Sequence, residues 1–134
     1  MTAADAVTRA REVLGEHEAS AQALRVDRPA GKPYWLVVLD GPTDTVGLAA
    51  FEDDGTLVGS GRPSSAGRHV SVGRQRAQEL LGAPVETEVH LVWWPSRASM
   101  SPLFPLWQAD LAEGPRWVTL DGTLVEDVPP AGRA

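Results

Sequence analysis

The residues of this chain that could do chemistry are three histidines, eighteen carboxylates and a set of serines in loop-like stretches, with no cysteine among them. His17, His69 and His90 are far apart, and no two share a predicted element at a zinc-ligand spacing. No metal site and no cofactor is expected. His90 falls outward on an alternating stretch, which suits a solvated or edge position. Acidic pairs occur at Asp53-Asp54, Glu16/Glu18 and Glu86/Glu88. General acid–base work needs a carboxylate of shifted pKa in a cleft, whereas Asp53 and Asp54 read as hairpin residues before Gly55 and the glutamates as solvent faces. Ser64, Ser65, Ser96, Ser99 and Ser101 lack the strand–turn–helix elbow that exposes a nucleophilic serine. Catalysis is therefore not expected.

Two other stretches could recognise a ligand. GSGRPSSAGRH, Gly59 to His69, offers glycine backbone N–H groups and two arginines, Arg62 and Arg68, to an anion. It lacks the Gly-Lys-Ser/Thr ending of a phosphate loop and no strand runs directly into a helix here, so it reads as a solvated linker in preference to a phosphate site. VWWPSRASMSPLFPLW, Val92 to Trp107, brings Trp93, Trp94, Arg97, Met100, Phe104 and Trp107 together without a regular period. Trp, Arg and Met are enriched at interface anchors. Adjacent tryptophans on a strand face opposite sides, so Trp93 and Trp94 cannot both enter one core face. This segment is the expected contact surface, with Trp94 and Arg97 as anchors.

The elements that must position these residues are two helices and a series of short strands. Thr2 with Asp5 resembles a capping box, and Val7, Ala10, Val13 and Leu14 recur at helical spacing up to Gly15. This predicts a helix over 3–14. Strands are expected at 21–26, 33–39, 46–52 and 56–59, the last two joined by the Asp-Gly turn at Asp54-Gly55. A second helix is expected at 71–81, ended by Gly82, followed by strands at 87–93, 106–111, 116–120 and 123–128. DGTLV occurs at 54–58 and again at 121–125, an offset of 67 residues. At the same offset Arg9, Ala10, Glu12, Leu14 and Gly15 meet Arg76, Ala77, Glu79, Leu81 and Gly82. Two matches at one offset point to an internal repeat. The expected organisation is a first α-β-β-β unit at 1–61, a linker at 62–69, a second unit with the Trp-rich insertion at 70–128 and a tail at 129–134. Each half would bury only about 60% of its unfolded surface alone, so the two must pack together.

GKPYWLVVL with AAFEDDGTLVG, and SPLFPLWQADL with RWVTLDGTLVE, resemble PepSY-like modules and, more loosely, the cystatin-like fold. The resemblance implies an α+β fold of two helix-plus-antiparallel-meander repeats and a role in binding or inhibition. Such modules are often exported. Here Asp5, Arg9, Arg11 and Glu12 interrupt any apolar leader. The resemblance supplies no catalytic residue.

The basic residues are scattered and the net charge is −6, against the clustered cations that nucleic acids require. No stretch reaches the roughly 20 apolar residues of a membrane span. The absence of cysteine favours a cytoplasmic setting. These observations predict a small non-enzymatic binding protein with a protein or peptide partner, able to form a homodimer through sheet edges or through 92–107. Two alternatives stay open. One is an acidic, immunity-type neutraliser of a toxin or other basic partner. The other is a cone-shaped, NTF2-like ligand carrier or enzyme with an inward polar group such as His90, Asp110 or Arg116.

Overall fold

A computed structural model describes residues 1–29, 31–126 and 128; the expected tail at 129–134 lies outside them. The chain is mixed α+β, with elements α1 (Ala3–Leu14), β1 (Ser20–Asp27), β2 (Tyr34–Asp40), β3 (Thr45–Glu52), β4 (Leu57–Gly61), α2 (Arg74–Leu81), β5 (Val89–Val92), β6 (Leu106–Leu111), β7 (Gly114–Val118) and β8 (Leu124–Val125). All eight strands form one sheet in the order β4-β3-β2-β1-β5-β6-β7-β8. Each strand is antiparallel to its sequence neighbour within 20–61 and within 89–125. The two meanders meet at the parallel pair β1–β5, which aligns Val26 with Leu91 and Asp27 with Val92.

Local chemistry explains most of these boundaries. The Thr2 hydroxyl accepts from the Asp5 N–H at 3.1 Å while the Asp5 carboxylate accepts from the Thr2 N–H at 3.0 Å, which starts α1. Both helices end on a left-handed glycine, Gly15 and Gly82, each at φ 67°. Around the DGTLV stretches three hydrogen bonds recur at the 67-residue offset. Glu52 N–H donates to Thr56 O and Thr119 N–H to Thr123 O, Gly55 N–H to Glu52 O and Gly122 N–H to Thr119 O. The third runs from Thr56 N–H to the Asp54 carboxylate and from Thr123 N–H to that of Asp121.

Helix α2 starts at Arg74 rather than at Ser71, because the N–H groups of Ser71 and Val72 both donate to Leu120 O, and Val72 turns into the core. Strand β7 starts two residues before the expected position, as Gly114 at φ 123° tightens the turn. Among the described residues of the last expected strand, 123–128, Leu124–Val125 are in a strand.

The sheet is covered on both faces, which explains the near-continuous apolar runs of β2 and β3. Ala6 and Ala10 of α1 pack on Val37, Leu39, Ala49 and Phe51. The alternate residues Leu36, Val38, Leu48 and Ala50 point the other way and join Val26, Leu91, Trp107 and Val118 in a cluster that includes Ala77 and Leu81 of α2. The helices therefore lie on opposite faces, one over each meander. Among the described residues no helix lies over Leu36 and Leu48, and the segments 62–73 and 93–105 contribute the cover through Val70, Val72 and Leu103.

Candidate functional site

The loop between β5 and β6 carries most of the residues expected to form a contact surface, and it divides them into two groups. Trp93 packs partly buried on the α2 side of the sheet, and its indole N–H donates to Ser99 Oγ at 3.2 Å. Trp94 turns to the other face, where it is 9% exposed beside Val92, Leu106 and Val128 and meets Trp117 edge to face at 6.2 Å. Trp107 is buried, and its indole N–H donates to Val72 O at 2.9 Å. The tryptophans face opposite sides as their adjacency requires, and both sides are covered within the chain. Trp94, expected as an anchor, is a core residue here.

Arg97, Met100 and Phe104 face solvent, with Met100 80% and Phe104 53% exposed. Hydrogen bonds within the loop and to Tyr34 position it. Ser96 and Ser99 exchange backbone bonds of 3.1 and 3.2 Å, and Ser99 Oγ lies against Phe104 O. The Tyr34 hydroxyl donates to Pro102 O at 2.6 Å; burial pushes its pKa well up, so it stays protonated and the bond holds at any ordinary pH. Leu103 lies over β4, where a methyl added at Gly59 or Gly61 would stand 3.9 Å from it.

The exposed residues line a cleft of about 580 Å³ whose other walls include Arg68, His69 and Asp121. Arg68 donates to Gly41 O at 2.7 Å and Pro42 O at 3.0 Å, with Asp40 at 3.5 Å. Asp121 accepts from the Thr119 and Thr123 hydroxyls, which hold its carboxyl below the usual range. His69 contacts Leu103 O through Nε2 at 2.6 Å. A carbonyl oxygen only accepts, so Nε2 carries the proton. Burial lowers the His69 pKa and keeps the ring neutral, and the ring meets Phe104 edge-on at 4.7 Å. Arg97 has no hydrogen-bond or ionic partner among the described residues.

The segment 59–69 reads differently in three dimensions. Arg62 donates to Leu14 O at 2.6 Å and Val46 O at 3.1 Å and pairs with Glu16 at 2.8 Å. With Arg68 likewise committed to carbonyls, the two arginines fasten the segment to the β2–β3 meander instead of presenting charge to an anion. His90 is neither at an edge nor solvated, since β5 is an interior strand and its side chain is 22% exposed, with Nε2 3.9 Å from Asp27.

Two other places bear on the alternative readings. A second cleft of about 450 Å³ includes Glu16, Glu18 and Asp40, of which Glu16 and Asp40 are paired with Arg62 and Arg68. Asp110 and Arg116 are exposed, while α1 lies flat on the sheet through Ala6 and Ala10. Sequence reasoning missed Arg68, His69 and Asp121 as neighbours of the Trp-rich segment. Their only local signal was the Arg-His and Asp-Gly pairs, each explained by its own turn.

Among the described residues no helix is long and apolar enough to cross a membrane. Comparison with family models, with curated proteins and with solved structures found no match to this chain.

Proposed function

We propose that this chain is a small non-enzymatic interaction protein that binds a protein or peptide partner through the exposed part of the 92–107 segment, Arg97, Met100 and Phe104. One observation carries the reading. Among the large apolar side chains left exposed, Met100 and Phe104 share one cleft, whereas Leu124 is the single such residue in a separate cleft of about 390 Å³, and Val13, Leu57 and Val85 line neither of these nor the cleft at Glu16 and Asp40. Single exposed apolar residues are ordinary, but clustered ones at a concave site favour contact. Binding rather than catalysis is favoured because the cleft's His69, Ser99 and Asp121 are committed to holding loop backbone or neighbouring hydroxyls.

A photoreactive benzophenone side chain placed at Met100 tests this in the native cell. A discrete cross-linked species is expected, lost on Phe104→Ser and missing when the probe sits at Val85, which is 90% exposed. Equal labelling from both positions would remove the basis of the reading.

We further propose that the chain is a duplicated helix-plus-meander unit, both halves of which are related to PepSY-like or cystatin-like modules. Supporting it are the recurrent turn bonds at the 67-residue offset and the paired glycine caps. Aligned halves from relatives must then score above composition-shuffled versions of themselves.

A further inference from the structure

Resting on that reading of the cleft, we infer that its occupant is an acidic peptide segment, one that places an Asp or Glu carboxylate on Arg97 and a large apolar side chain against Met100 and Phe104. The inference follows from which charges at the cleft are already committed. Arg68 is taken up by Gly41 O, Pro42 O and Asp40, and His69 is neutral and bonded to Leu103 O. Asp121 is held by two threonine hydroxyls. Of the cationic groups at the cleft, Arg97 is the one without a partner among the described residues, a guanidinium whose planar fork matches a carboxylate.

The surroundings give that charge its selectivity. The Phe104 ring meets the His69 ring edge-on at 4.7 Å and presents its exposed part as an aromatic platform, and Met100 on the same cleft is an adaptable apolar one. Asp121, an ionised carboxylate on the same cleft, repels further acidic groups, so one carboxylate paired with Arg97 is expected and not several. One unpaired cation at the cleft among the described residues does not meet the requirement of a nucleic-acid backbone or an anionic lipid surface, each of which needs several together. The chain's net charge of −6 opposes the approach of an acidic segment at long range. Salt screens this beyond roughly 10 Å at 0.1 M, so the contact itself sets recognition.

The test is selection of random dodecamer peptides displayed on phage against the full chain, its Arg97→Glu form and its Phe104→Ser form, with intrinsic fluorescence and thermal melts confirming that each form is folded. Peptides from the unchanged chain are expected to carry Asp or Glu within a few residues of Leu, Ile, Phe or Met. Synthetic copies should bind Arg97→Glu about tenfold or more weakly, because attraction becomes repulsion. Selection on Arg97→Glu should return Lys or Arg at the corresponding position. Peptides without carboxylates that lose binding on Phe104→Ser but not on Arg97→Glu would overturn the acidic occupant and leave the contact surface standing. Failure to enrich any peptide sensitive to either substitution would overturn both.

Discussion

At the scale of single residues, the site shows how burial and hydrogen bonding assign roles that residue type leaves open. His69 is a histidine near two arginines and a carboxylate, a setting that could suggest chemistry. Its Nε2–H instead fastens the 93–105 loop to the 62–73 segment, and desolvation lowers its pKa. The unfolded state then binds the proton more readily than the folded state below about pH 6.5. The His69 contribution to stability is therefore complete above that pH and is lost as pH falls toward the depressed folded value. Urea unfolding midpoints measured at pH 7.5 and 5.5 should decrease on acidification in the unchanged chain and decrease less in His69→Gln. The carboxylates whose pKa values are lowered, Asp5, Asp53, Asp54 and Asp121, act in a lower window, below the ordinary value of 3.8. They do not obscure the test.

At the scale of elements, the two Asp-Gly hairpins are alike in backbone and unlike in surroundings. Gly55 and Gly122 stand at φ 90° and 93°, a region costly for any residue with a Cβ. A Cβ at Gly55 would meet nothing nearer than Met1 Cε at 3.8 Å, while one at Gly122 would lie 3.1 Å from Val72 Cγ2. Both alanine variants should lose about 1–2 kcal/mol from the backbone term, and Gly122→Ala should lose more because its Cβ also crowds the Val72 side chain. Chemical denaturation of the two variants side by side checks the order. The comparison also shows what the DGTLV pattern encodes: a turn wherever it occurs, with an energetic weight set by what packs behind it.

At the scale of the whole molecule, the joint between the meanders is only two residue pairs of parallel ladder, yet the main hydrophobic cluster runs through both halves. Side-chain packing, and not backbone pairing, unites them. Unfolding should accordingly be a single transition, with calorimetric and van't Hoff enthalpies in agreement. Leu91→Ala, at the joint, should cost about 2–5 kcal/mol and raise amide hydrogen exchange in β2 as much as in β6. Acceleration confined to β5–β7 would mean that the halves open separately.

The sequence by itself determined the parts whose signals are local. Caps, glycine stops, Asp-Gly turns and period-2 or apolar runs act through neighbouring backbone, so α1, β2, β3 and β6 were legible nearly to the residue. Non-local contacts decided the remainder. The beginning of α2 depends on Leu120 O, nearly fifty residues away from Ser71, and no propensity carries that information. The Trp-rich segment was legible as unusual but not as divided. Trp93 and Trp107 join the cluster of Leu36 and Leu48, over which no helix lies among the described residues, whereas Trp94 is buried on the opposite face beside Val92, Leu106 and Trp117, and Arg97, Met100 and Phe104 are left outside. Which side chains of one segment become core and which become surface is set by the cover that the rest of the chain fails to supply, a property of the assembled sheet alone.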